Sequence, residues 1–189
     1  MSLTTVTAPA AEPISEAELR QRSRIPDEET SAAVLQYIRA ARRTAENYLR
    51  RRLITQTVRL VMDRFASQII IPTDPVQSVD EITYVDGAGE TQTLDAADYH
   101  LVVSGVPCMI VPAFGTTWPV TRAFYDSVSV DLIVGYGDAA TDVPDDIVQG
   151  IFLLAGHFYE NREAVVVGTT AGALPLGVED LLGPHRFWI

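Results

Sequence analysis

The stretch Val143 to Glu163, VPDDIVQGIFLLAGHFYENRE, constrains the fold of this chain most. Ile147, Ile151, Leu154, Ala155 and Phe158 recur at spacings of three and four, the period of one helix face. Val148, Phe152 and Tyr159 widen that face, so little of the helix is left for water. Pro144 suits a first helical turn, and Asp145 and Asp146 suit the positive end of a helix. Fully burying five or six such side chains contributes roughly 1.5–3 kcal/mol each before entropy is counted. A helix this apolar is the spine of a core, and the rest of the chain must supply what covers it.

With 189 residues the chain can build one good core with room for an inserted region. The hydrophobic share of 47% is that of a globular protein and excludes wholesale disorder. A single cysteine, Cys108, rules out an intrachain disulfide framework and reads best as a small buried apolar residue. No apolar run reaches the roughly 20 residues of a membrane span, and no basic start followed by an apolar block marks a signal peptide. The expectation is a soluble protein made in the cytoplasm, with no membrane partner.

Charge is unevenly spread. Residues 1–52 carry nine Arg against seven acids, residues 53–189 five Arg against 18, and the whole chain is −11. A chain this acidic is a poor general binder of nucleic acid, because attraction to phosphate drives such binding. It suits a surface that DNA passes without sticking.

In chain order, residues 1–12 are small and polar and read as a flexible arm. Ser15 and Glu18 form an S-x-x-E capping box that starts a short helix, which Ile25-Pro26 should stop. A second helix runs from about Asp27–Thr30 to Arg52, with Val34, Tyr37, Ile38, Ala41, Ala45, Tyr48 and Leu49 as its apolar stripe. Its arginines, among them Arg42, Arg43 and Arg50, lie mostly off that stripe. They form a solvated face, or else pair with acids of a neighbouring subunit; direct DNA binding is a third reading.

From Thr55 the period changes to two. Thr57–Asp63, Ile69–Ile71, a Val79–Leu94 hairpin around Asp86-Gly87-Ala88-Gly89, Tyr99–Val103, Met109–Val111 and Val128–Tyr136 read as six or seven short antiparallel strands. Strands lying between helices without βα alternation argue for an α+β class. The predicted architecture is a mainly helical core with an antiparallel β-region inserted between the second helix and the long C-terminal helix. As domains this gives an arm at 1–12, a core at 13–182 (helical over 13–52 and 143–182, β over 55–137) and a tail at 183–189.

Catalytic signatures are missing. His157 and Glu160 stand three apart on the spine helix, a spacing that supplies two metal ligands, but no second pair completes a site. There is no G-x-S-x-G elbow and no phosphate-gripping Gly-Lys-Ser/Thr, and the chain contains no lysine at all. The expectation is no catalytic residue, no cofactor and no metal. A metal-dependent enzyme centred on His157 and Glu160 and a DNA-binding module using the helix 2 arginines stay open as rivals.

Two apolar segments ask for partners. Ala164 to Gly172 contains Val165, Val166 and Val167 and is poorly periodic. The chain also ends Arg186-Phe187-Trp188-Ile189, whereas a terminus is normally polar and frayed. Those rings either fold back on their own core or dock into another protein, and in a closed ring such plugs would sum through multivalency.

The order of several stretches resembles the head–tail connector, or adaptor, family of long-tailed phages and gene transfer agents. They are Pro13-Ile14-Ser15, Tyr48–Thr57 (YLRRRLITQT), Pro75–Val79 with Ile82-Thr83-Tyr84, Asp95–Tyr99 (DAADY), Trp118-Pro119, Gly135-Tyr136-Gly137, Pro144–Val167 and Leu174–Val178. The resemblance covers roughly residues 13–189. It implies a helical core with an inserted β-region, and a virion location at the head–tail junction. It further implies a homo-oligomeric ring, usually twelvefold, seated under the capsid portal. The ring extends the DNA channel and meets a stopper or tail-terminator protein. On this reading Arg186, Phe187, Trp188 and Ile189 dock on the portal, so that their deletion spares the fold. Arg42, Arg43, Arg50, Val165, Val166 and Val167 then serve subunit or tail-side interfaces.

Overall fold

The computed structural model describes residues 1–161 and 176–188. Its secondary structure divides between two compact units, one of strands and one of helices. The β unit comprises Met1–Ala10 and Thr55–Tyr136, and the helical unit comprises Ala11–Ile54 and Gly137–Trp188.

The β unit holds eight strands in two sheets. β1 (Ser2–Thr7), β2 (Gln56–Met62), β8 (Val128–Val134), β4 (Val76–Val85) and β5 (Thr91–Thr93) form the first, in that spatial order. β3 (Ile69–Ile70), β7 (Met109–Pro112) and β6 (Tyr99–Val102) form the second. Alternation decides which face is buried: Val58, Leu60 and Met62 of β2 point inward, as do Val128, Val130, Leu132 and Val134 of β8. The antiparallel register sets Leu60 opposite Val130 and Val58 opposite Leu132. Ile69, Ile110 and Cys108 join the same cluster, so the unit has a hydrophobic core of its own drawn from both sheets. Phe65 stacks on Trp118 at 4.8 Å against this core.

Two expectations are corrected here. Residues 2–7, read as part of a flexible arm, pair with β2 as an edge strand. The segment SLTTVT is uncharged and rich in β-branched residues, which fit a pleated surface, and it satisfies the backbone groups along the free edge of β2. The α+β class holds, but the β-region is not simply inserted into a mainly helical core. Its first strand precedes the first helix, and it holds a hydrophobic core of its own.

In the helical unit, α1 (Glu16–Ser23) begins with the expected capping box. The Ser15 hydroxyl accepts the Glu18 N–H at 3.2 Å, and the Glu18 carboxylate accepts the Ser15 N–H at 3.0 Å. Arg24, in the left-handed conformation, ends α1 just before Ile25-Pro26. α2 (Ser31–Leu49) buries Val34, Ile38, Ala41, Ala45 and Leu49 of the predicted stripe. α3 (Asp145–Glu160) is the spine, with Pro144 at its N-cap; residues 162 and 163, the last two of the predicted helix, lie outside the described residues. It buries Ile147, Gly150, Ile151, Phe152, Leu154 and Ala155, while Asp145, Gln149, Leu153 and His157 form its exposed stripe. Tyr37 of α2 meets Tyr159 of α3 edge to face at 5.9 Å. α4 (Leu176–Leu182) packs on α3 at Gly150, where a Cβ would lie 2.9 Å from Leu182 Cδ2. The glycine is what lets the two helices approach.

Candidate functional site

The C-terminal tail is bolted to the helical unit at three points. α2 ends at Leu49, whose carbonyl has no partner within its own helix; it accepts the Phe187 N–H at 2.8 Å. Arg51 Nε donates to the His185 carbonyl at 2.6 Å. His185 Nε2 meets Asp146 Oδ2 on the first turn of α3. Burial pushes the Asp146 carboxyl up, but the hydrogen bond and charge of His185, with the Ile147 N–H, outweigh it and hold it below the usual aspartate value.

This geometry splits the aromatic terminus. Phe187 is 1% exposed, among the largest fully buried side chains of its own unit. Trp188 is 69% exposed. Arg186 lies between, its guanidinium 5.0 Å from the Tyr48 ring and 4.2 Å from the Trp188 ring, close enough for cation–π attraction to both. The expectation that Arg186 to Ile189 are a removable plug is therefore corrected for Phe187: deleting them would remove a core residue. Trp188 is the side chain the tail presents outward, and Ile189 lies outside the described residues.

The helix 2 arginines also separate. Arg42 is 8% exposed; it donates to Glu12 at 2.7 Å and to Glu46 at 2.9 Å. Glu46 in turn accepts the Leu53 N–H at 3.2 Å, tying the turn after α2 to the helix. Arg42 thus meets acids of its own unit, neither on the solvated face nor at the subunit or tail-side interface that the sequence reading offered for it. The i, i+4 spacing of Arg42 and Glu46 was visible in the sequence; Glu12, thirty residues away, had no such signal. Arg43 and Arg50 are exposed, Arg50 as the left-handed cap of α2. Val165, Val166 and Val167 lie outside the described residues.

His157 is exposed, with Nδ1 3.2 Å from the Asn161 side-chain amide. Among the described residues, no three His, Cys, Asp or Glu side chains come together as a metal site, and no helix is long and apolar enough to cross a membrane. Exposed on the helical unit are the Trp188 ring, beside Arg186, and the outward arginines Arg43 and Arg50.

No family model matches the chain, and no curated protein does. Solved structures match it end to end. A chain from the native gene transfer agent virion is 30% identical with a TM-score of 0.79, the match covering 100% of this chain and 97% of that one. A chain from the neck of the empty gene transfer agent particle, computed with sixfold symmetry, is 29% identical with a TM-score of 0.80 at the same coverage. Another, from the neck of the native particle computed with twelvefold symmetry, is 29% identical with a TM-score of 0.77, also at that coverage. The chain belongs to the head–tail connector family of phages and gene transfer agents.

Proposed function

We propose that this chain is the structural adaptor of the neck: copies of it close into a ring of twelve beneath the portal, extend the DNA channel and join the head to a stopper or tail-terminator protein. Its place is the head–tail junction of the virion. The observation that carries the reading is the full-length match to neck chains of particles solved with sixfold and twelvefold symmetry. The role is structural and non-catalytic.

On this reading Trp188, held out by the buried Phe187 and stacked with Arg186, is the portal-docking side chain, with Ile189 beside it in sequence. An exposed tryptophan flanked by arginine has the composition of an interface hot spot. Arg43 and Arg50 face carboxylates of the neighbouring copy, and Val165, Val166 and Val167 give an apolar segment for a subunit or tail-side contact. The acidic excess lines the channel and repels passing DNA.

The test is the mass of the purified chain, alone and mixed with the portal protein of the same particle. A ring, or a monomer that becomes a ring on the portal, supports the adaptor reading. A monomer that ignores the portal overturns it. Trp188→Ala should weaken portal binding at least about tenfold, the loss of a modest hot spot, with unfolding unchanged; undiminished binding would remove the docking assignment.

A further inference from the structure

One surface of the β unit serves neither its core nor the tail. Asp63, Arg64 and the loop Thr121–Tyr125 line an open groove. The loop is held firmly. Arg122 N–H donates to the Val85 carbonyl at 2.9 Å, Ser127 Oγ to the Phe124 carbonyl at 2.9 Å, and Asp126 N–H to Asp63 Oδ1 at 3.1 Å. Asp126 turns the chain at φ 54°, a left-handed conformation that aspartate tolerates better than most residues. Yet this fixed loop leaves Phe124 62% and Tyr125 75% exposed, their rings 5.8 Å apart, with the Arg122 guanidinium 5.5 Å from the Phe124 ring. Rings displayed on a pre-ordered backbone lose little further entropy on binding. Phe, Tyr and Arg together are what interface centres are enriched in.

Charge selects the occupant. Residues 55–136 carry ten acids against three arginines. Arg59 is bound by Asp131 through two bonds of 2.7 Å, while Arg64 and Arg122 both lie on the groove and have no ion-pair partner among the described residues. Asp63, the one carboxylate lining it, has Oδ1 engaged by the Asp126 N–H. The groove is thus a basic, aromatic spot on an acidic unit. Every further copy of this chain, at −11, offers the acidic surface that complements it. A closed ring of more than two subunits needs such an arrangement, because its contacts are heterologous: two different patches of one chain must fit each other.

We propose that the groove of Arg64, Arg122, Phe124 and Tyr125 is one half of the subunit–subunit contact and seats a carboxylate-bearing surface of the next copy. This deepens the adaptor reading and rests on its ring. The test places a photoreactive benzoyl-phenylalanine at position 124, and separately at 125, in particles purified from producing cells. Both positions are exposed, so the fold tolerates the larger ring. The expected product has twice the mass of this chain, with both crosslinked peptides from it. Its yield should fall about tenfold when Arg64→Glu and Arg122→Glu are added, since like charges then face each other. A crosslink to the portal or to another neck protein overturns the proposal, as does no crosslink in particles that contain the chain. Particles of the unsubstituted strain that lack the chain altogether would instead sink the adaptor reading itself.

Discussion

Phe187 and Trp188 are adjacent in sequence and opposite in environment, which makes them separable by mutation. Phe187→Ala removes a ring that is 1% exposed and should cost about 3–5 kcal/mol of stability. Trp188→Ala should leave the urea midpoint almost unchanged. Equal midpoints for the two variants would contradict the buried position of Phe187. A second residue-scale prediction concerns Asp146. Its carboxyl titrates below the ordinary value of 3.8, so the unfolded chain takes up this proton more readily than the folded one. The stabilisation is therefore present in full above about pH 4 and is lost as the pH falls through the folded value. His185→Gln should move the Asp146 titration, followed by NMR of its side-chain carbonyl carbon, up towards 3.8. A titration left where it was would mean that His185 does not hold this carboxylate.

At the scale of elements, the packing of α4 on α3 depends on the missing Cβ of Gly150. Gly150→Val places atoms where Leu182 now sits and should cost about 1–3 kcal/mol by overpacking. Leu182→Ala in the same chain should recover part of that loss, a non-additivity that a double-mutant cycle measures. Strictly additive effects would show that the helices do not meet there. The α2 stripe was legible because Val34, Ile38, Ala41, Ala45 and Leu49 repeat at helical spacing, and all five are buried. β1 was not legible. SLTTVT has no alternation of apolar and polar residues, and only the free edge of β2, 50 to 59 residues further along, gives it a partner.

For the whole molecule, the charge balance sets what it avoids. Arg42, the most deeply buried of the α2 arginines, is taken by Glu12 and Glu46, and Arg51 by the His185 carbonyl, which leaves fewer cations for phosphate than the sequence count suggests. The full chain should therefore not retard duplex DNA in a gel at about 0.15 M salt, where exposed charges more than about 8 Å apart are largely screened. Salt-sensitive retardation at micromolar protein would revive the DNA-binding reading. Family membership was already readable, since the motifs from Pro13 to Val178 keep their order along the chain, and chains of the gene transfer agent virion and neck match it over its full length.

Periodicity and local chemistry are properties of neighbouring residues, and these the sequence determined by itself: the spine helix, the Ser15–Glu18 capping box, the inward face of β8 and the turn in which the Asp86 carboxylate accepts the Ala88 and Glu90 N–H groups. Choices between distant partners were left to the tertiary structure. Whether Phe187 folds inward or Trp188 does, whether Arg42 meets its own acids or another subunit's, and whether residues 2–7 pair at all depend on which surfaces come within reach once the chain has closed. The physical reason is that burial and ion pairing are short-ranged, while the residues that satisfy them here lie from about 30 to more than 130 positions apart.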